Sequence, residues 1–312
     1  MPIPHVHGLH HVTCIAGDAQ ENLDFYTKVL GMRLVKKSIN QDAPDTYHLF
    51  YADAAGSPGT DLTFFPWPDA QPGRHGVGMT NEVMLAVPSG TLGWWRARLD
   101  EKKVRHGHEV TRFGERTLPF TDPHGLELAL VEISEARPFA PWDRSPVPAE
   151  KQIRGFHAVR LWERDPAPTV KLLMDVMGLD PVGNDDGWQR FGLGGRSGTL
   201  IDIKAFPDER RGVWGLGSVH HIAWRVTDTP EEMALRGTIE VAGLHPTPQI
   251  DRFWFQSVYF KEPGGALFEL ATDGPGFGID EDPAHLGERL VLPPWYEAQR
   301  REIEAGLPEL QG

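Results

Sequence analysis

Hydrophobic and polar positions repeat along the chain in a short cycle. A run of β-formers, Val12-Thr13-Cys14-Ile15, precedes a segment in which Leu23, Tyr26 and Leu30 share one helical face. Asp18 is placed to cap that helix, Glu21 follows three residues later as in a capping box, and Gly31 ends it. Two or three strands then close the unit, one of them Leu62-Thr63-Phe64-Phe65. The same order restarts at Glu82-Val83-Met84-Leu85, with a helix predicted over about 91–99. It restarts again at His157, with a helix ending at Gly178. A fourth cycle begins at His221-Ile222-Ala223-Trp224, and its helix opens at Thr229-Pro230-Glu231-Glu232 with proline in the first turn. The chain therefore reads as α+β, built from four βαβββ modules. A tail over about 293–307 reads as a short charged helix.

The modules fall into two homologous halves. Gly8-Leu9-His10-His11-Val12 is echoed 147 residues later by Gly155-Phe156-His157-Ala158-Val159, and at the same offset Gly31-Met32 falls on Gly178-Leu179. Ser57-Pro58-Gly59-Thr60 matches the stretch ending Ser197-Gly198-Thr199, and Asp122-Pro123-His124-Gly125 matches Glu262-Pro263-Gly264-Gly265. Between the halves lie Arg137-Pro138-Phe139-Ala140-Pro141-Trp142 and Ser145-Pro146-Val147-Pro148, which suit an extended connector and can continue neither a helix nor a central strand. The expected division is a module pair over 1–136, a linker over 137–152, a second pair over 153–280 and a tail over 281–312.

Composition narrows the setting. Of 312 residues, 34 are glycine and 27 proline, which favours short elements and tight turns over a long helical bundle. The net charge of −13 makes duplex nucleic acid and anionic membrane poor partners. A single cysteine, Cys14, excludes an internal disulfide framework and a cysteine-based zinc site. Alternation turns Cys14 away from His11, as a buried thiol. No apolar run approaches the ~20 residues of a membrane span, and the first residues lack a signal-peptide pattern. Cytoplasmic placement is the expectation, with homo-oligomers compatible with the sheets' apolar faces.

Candidate chemistry emerges when the modules are superimposed. Their first strands place His11, Glu82, Ala158 and His221 at one position; their last strands place Thr63, Ala129, Asp202 and Glu269 at another. Modules one and four together supply His11, His221 and Glu269. Two neutral imidazoles and one carboxylate can take one face of an octahedral ion and leave the rest for substrate and dioxygen, the arrangement of non-haem Fe(II) oxygenases. Thr63 is a weak ligand and leaves the fourth corner open. Glu269 interrupts the apolar strand Leu267-Phe268-Glu269-Leu270-Ala271, and burying a carboxylate there is costly unless it is paired or metal-bound. Mn(II) fits the same ligands.

At these residues the chain resembles the vicinal-oxygen-chelate superfamily, built from paired βαβββ modules. More narrowly, it is similar to the ring-cleaving dioxygenases that act on para-hydroquinones. The likeness runs from Leu9-His10-His11-Val12-Thr13 to the proline-rich tail. It is most specific in Ser218-Val219-His220-His221-Ile222-Ala223, in Asp251-Arg252, and from Tyr259-Phe260-Lys261 to Gly276-Phe277. The resemblance implies open mixed-sheet barrels with helices outside, Fe(II) held by His11, His221 and Glu269, and His10, Thr13, His220, Arg252 and Tyr259 around it. It also implies a small aromatic diol and dioxygen as reactants. Such chemistry needs donors for developing oxygen charge, a histidine to carry a proton, and a fixed cation. Thr13 shares a strand face with His11, whereas His10 and His220 reach the site only through a bulge or a strand end. Arg252 has the plain alternative of pairing with Asp251, and Tyr259 that of core packing beside Phe260.

Other features point to no chemistry. His48, His75, His124, His245 and His285 show no partner pattern, and His106 and His108 flank a turn. Gly192-Leu193-Gly194-Gly195 lacks the lysine and hydroxyl residue of a phosphate loop. Two competing functions on the same fold are a glyoxalase-type isomerase, which usually wants a second carboxylate at the metal, and a non-enzymatic binding protein of the resistance kind, which commonly lacks the ligand set.

Overall fold

Each first strand is buried on both faces, because helices pack on one side and a cavity or plug fills the other. In the computed structural model, which describes residues 5–311, the run around Val12 becomes β1 (Leu9–Ala16), all eight residues buried. Helix α1 (Ala19–Asp24) begins where the capping pattern places it, with the Asp18 side chain accepting from the Glu21 amide at 2.8 Å. It continues into a π turn over Phe25–Val29 that the 3.6-residue period does not disclose. Strands β2 (Arg33–Asn40), β3 (Ala43–Ala52) and β4 (Asp61–Pro66) complete module one.

Module two runs β5 (Met79–Pro88), α2 (Leu92–Glu101), β6 (Val110–Arg112), β7 (Glu115–Thr121) and β8 (Glu127–Ile133). Module three is β9 (Phe156–Glu163), α3 (Ala167–Asp175), β10 (Asp180–Asp185), β11 (Trp188–Gly192) and β12 (Leu200–Ala205). Module four is β13 (Val219–Val226), α4 (Thr229–Val241), β14 (Ile250–Asp251), β15 (Gln256–Lys261) and β16 (Leu267–Thr272). Asp228, one residue before the expected start, caps α4 by accepting from the Glu231 amide at 3.0 Å. The charged tail forms a 3-10 segment over Pro294–Gln299 and then α5 (Arg300–Gly306). No helix among the described residues is long and apolar enough to cross a membrane.

Within a module the first strand pairs on one side only, leaving a row of backbone donors and acceptors that must find another partner. They find it across the halves. β1 pairs antiparallel with β13, giving an eight-stranded sheet in the order β14-β15-β16-β13-β1-β4-β3-β2. β5 pairs antiparallel with β9, giving the order β10-β11-β12-β9-β5-β8-β7-β6. The halves are thus repeats along the chain, while each curled sheet joins one module from each half: one with four, two with three.

The glycine repeats are the joints of this exchange. Gly8 (φ +127°) and Gly155 (φ +97°) occupy backbone that L side chains rarely adopt. A Cβ on Gly8 would lie 2.9 Å from the Gly198 carbonyl oxygen, and one on Gly155 2.4 Å from that of Gly59. The same contacts carry hydrogen bonds: Leu9 N to Gly198 O and Phe156 N to Gly59 O, both 2.9 Å.

The segment after β16 straps the open edge of the first sheet. Lys36 on β2, fully buried, donates to Asp280 (2.8 Å), Glu281 (2.5 Å) and the Phe277 carbonyl (3.2 Å), and Arg33 donates to the carbonyls of Ala54, Pro283 and Leu286. Removing the ammonium strands two carboxylates with little solvent. Lys36→Ala is expected to destabilise the protein by about 3–5 kcal/mol, measured by urea unfolding. Hydrogen exchange should show residues 277–291 losing protection first; uniform loss across the sheet would show that the strap has no separate anchor.

Candidate metal centre

The register of four strands builds a square of side chains on the floor of the first sheet. Across the β1–β13 pair, His11 is opposite Ala223 and Thr13 opposite His221, so the two histidines stand side by side on one face. In the parallel pair β13–β16, Ala223 is opposite Glu269; in β1–β4, Thr13 is opposite Thr63. Thr63 and Glu269 therefore hold equivalent corners of modules one and four.

Three of the corners converge. Glu269 Oε2 lies 2.9 Å from His221 Nε2 and 3.2 Å from His11 Nε2, and the two imidazole nitrogens are 3.3 Å apart. Among the described residues this is the one group of three such side chains able to offer ligand atoms to a single ion, and all three are buried. Burial alone would push the Glu269 carboxyl up, yet positive charge on the facing imidazoles holds it well below the usual carboxylate range, the same stabilisation that a cation between them would give. Glu269 Oε2 is buried without a hydrogen-bond donor, while Oε1 accepts from Ser257 Oγ at 2.5 Å. A carboxylate oxygen and two imidazole nitrogens aimed at one point, with their lone pairs otherwise opposed, fit a cation between them.

The doubled histidines now have a physical role. The β1–β13 register shifts by one residue between Leu9 and His11, and again between Thr13 and Cys14, so His10 and His220 are each the extra residue of a bulge. That displacement lets the Nδ1 atoms of His10 and His11 meet at 3.0 Å, and those of His220 and His221 at 2.8 Å. Histidines that offer Nε2 to an ion carry their hydrogen on Nδ1; in that tautomer His11 and His221 each donate backward to the neighbour, which orients the ring. Burial, then the neighbouring ligand histidine, pushes His10 and His220 each down to about 3, so both are neutral acceptors at Nδ1. His10 packs on Phe255 (ring centroids 5.4 Å), whereas His220 lines the cavity and stacks on Trp214 at 4.6 Å.

The cavity above the triad has a volume of about 500 Å³ and walls rich in Phe50, Phe65, Trp67, Trp254 and Phe255. Tyr259 enters it from β15, directly opposite Glu269, and burial and the Glu269 charge hold its hydroxyl protonated well above the ordinary phenol range. Arg252 donates to Tyr259 through Nε (3.3 Å) and to Asp42 through both terminal nitrogens (2.9 and 3.3 Å). Its partner is thus Asp42 of module one; Asp251 instead accepts from Phe253 N and Gln256. Burial lowers the Arg252 pKa, but Tyr259 and Asp42 outweigh it and raise the value above normal. Thr13 reaches the fourth corner, with its Oγ1 2.7 Å from Thr63 Oγ1.

His48, which showed no partner pattern in the sequence, also lines the cavity. Its Nε2 is 2.9 Å from Thr63 Oγ1. The available signal was alternation along β3, which puts His48 on the face of Phe50.

The second sheet shows what happens without the triad. There Asp202 receives Arg190 (2.7 and 3.0 Å) and Arg160 (3.4 Å), and Glu82 receives Arg112 (2.8 Å) and Arg160 (3.4 Å). Arginine side chains supply the positive charge, and Ala129 and Ala158 supply no ligand.

Fold and site together define a class: paired βαβββ modules with a His-His-carboxylate centre in an aromatic cavity. Residues 8–130 match the family model described as the Glyoxalase/Bleomycin resistance protein/Dioxygenase superfamily. The chain is 43% identical over 300 residues to a Bacillus subtilis (strain 168) protein named putative ring-cleaving dioxygenase MhqO, covering 96% of this chain and 95% of that one. It is 36% identical over 307 residues to the chlorohydroquinone/hydroquinone 1,2-dioxygenase of Sphingobium indicum, covering 96% and 95%. A crystal structure of a putative dioxygenase from Bacillus subtilis superimposes with a TM-score of 0.93 at 41% identity, covering 98% of each chain. The chain belongs to the ring-cleaving dioxygenases of this superfamily.

Ser257 is the residue that orients the Glu269 carboxylate. Ser257→Ala is expected to weaken metal retention about 10- to 100-fold in a chelator competition, without loss of the fold by circular dichroism. Unchanged retention would mean that Glu269 is oriented by its strand alone.

Proposed function

We propose that the protein is an Fe(II)-dependent extradiol-type dioxygenase that opens the ring of a hydroquinone-like aromatic diol with dioxygen. His11, His221 and Glu269 would hold the metal. The observation that carries the reading is their convergence beside a corner, Thr63, that supplies no ligand, so the cavity side of an ion stays open to reactants. Mn(II) suits the same donors. A reducing, cytoplasmic setting suits both ferrous iron and the buried, unpaired Cys14.

Bound there, Fe(II) would supply a Lewis acid for the ionised hydroxyl of the substrate and a redox centre through which dioxygen reacts with the electron-rich ring. Both oxygen atoms enter the product, and the ring itself is the reductant, so no further cofactor is needed. The protein's own groups do the rest. Phe50, Phe65 and Phe255 give the ring apolar walls that exclude water. His220 accepts from His221 at Nδ1, which leaves its hydrogen on Nε2, free to be passed to or taken back from a substrate oxygen. Tyr259 keeps its phenolic proton and, backed by Arg252, donates toward oxygen charge that develops over the cavity. The name of the Sphingobium relative supports the substrate class. A glyoxalase-type isomerase would need a base at the fourth corner, and Thr63 supplies no carboxylate there.

The test is oxygen uptake by anaerobically Fe(II)-loaded protein given methylhydroquinone and then catechol, with ultraviolet spectra of the products. One oxygen per substrate with a ring-opened product is expected. No uptake at one iron per chain would overturn the reading in favour of the isomerase. Alanine at His11, His221 or Glu269 should each abolish metal retention; iron content unchanged in all three would remove the site assignment. Tyr259→Phe should lower kcat about 100-fold with iron content unchanged.

A further inference from the structure

Modules one and four are related closely enough to compare residue by residue around the square. On β3 and β4, Phe50 is opposite Thr63; on β15 and β16, Tyr259 is opposite Glu269. Two residues earlier on the same faces stand His48 and Ser257. Each bonds to its module's corner: Ser257 Oγ to Glu269 Oε1 at 2.5 Å, His48 Nε2 to Thr63 Oγ1 at 2.9 Å. Module four pairs a short supporter with a long corner residue. Module one inverts the lengths, with a short corner and a long supporter, so the space is filled in both but the functional group has moved one strand outward.

The inversion leaves His48 with a spare group. Ser257 spends its hydroxyl on the carboxylate, whereas His48 has a second ring nitrogen, Nδ1, which makes no hydrogen bond among the described residues while the side chain lines the cavity. The ring is held in place between Phe50 (3.8 Å between centroids) and Phe65 (4.4 Å), and Thr63 is itself tied to Thr13. Burial pushes His48 well below the usual imidazole range, so it acts as a neutral hydrogen-bonding group and not as a counter-ion.

We propose that His48 is a specificity-determining residue that hydrogen-bonds through Nδ1 to the substrate hydroxyl remote from the metal, selecting a para-diol. This rests on the ring-cleaving reading above. β3 lies two strands from β1, so His48 stands on the cavity wall beyond Thr63 and not at the triad itself. A ring held at the metal through one oxygen would carry its para oxygen away from the triad, toward that wall. The second oxygen of a catechol sits beside the first and falls short.

Binding is measured under nitrogen, without turnover, on Fe(II)-loaded protein by quenching of tryptophan fluorescence, since Trp67 and Trp254 line the cavity. The probes are hydroquinone and phenol, which differ only in the para hydroxyl. The wild-type protein should bind hydroquinone about 5-fold more tightly, the worth of one net hydrogen bond. His48→Phe should abolish that preference while leaving phenol affinity and iron content unchanged, and His48→Gln should restore most of it. Equal weakening of both probes would assign His48 to packing and overturn the proposal, as would a preference that survives His48→Phe. If the wild-type protein binds hydroquinone and the preference ignores residue 48, only the role of His48 falls. If it binds neither probe, the substrate class falls with it.

Discussion

The structure depends on one pairing, that of β1 with β13. A βαβββ module ends its own sheet on its first strand, and the unpaired backbone of that edge must be satisfied by a second module. Pairing the first strands of modules one and four places His11 beside His221 and brings Glu269 and Thr63 to the flanks. The bulges within the same pair displace His10 and His220 just enough to hold the rings of His11 and His221 by Nδ1. The backbone requirement and the site geometry have one solution.

The two sheets treat buried charge in opposite ways. In the second, arginines neutralise the acidic corners, and the guanidinium groups of Arg160 and Arg190 lie over the rings of Trp188 and Phe113 at 3.8 and 3.9 Å from their centroids. In the first, the Glu269 carboxylate faces two imidazoles and a serine hydroxyl and meets no arginine. Desolvating a carboxylate without a partner costs several kcal/mol, so the first sheet's floor suits a cation while the second's is closed by its own arginines.

The cavity is also a product of long-range closure. Arg252 of module four reaches Asp42 of module one across it, and the strap after β16 seals the β2 edge through Lys36. Trp254 Nε1 donates to Asp280 in that strap, so one wall of the cavity and the anchor of the tail share a residue. The aromatic walls are tied together by contacts between segments far apart in the chain.

Periodicity and repetition were legible in the chain itself. Alternation and the capping pattern located the strands and helices, the offset between Gly8 and Gly155 exposed the duplication, and counting from the shared glycines set Thr63 and Glu269 at equivalent corners, as the β1–β4 and β13–β16 registers have them. These features are local or strictly repeated, so they survive in one dimension. The π turn after α1, the Arg252–Asp42 pair and the packing of His48 on Thr63 do not, and of the bulge or strand end that the doubled histidines called for, only the paired strands decide on the bulge. A bulge arises only when a specific partner strand arrives, and the partners of Arg252 and His48 lie on strands of other register or another module. Which edges join is likewise a tertiary decision: the linear halves suggest that neighbours pair, yet the exposed first strands of the outermost modules satisfy each other, and His11, His221 and Glu269 converge where they meet.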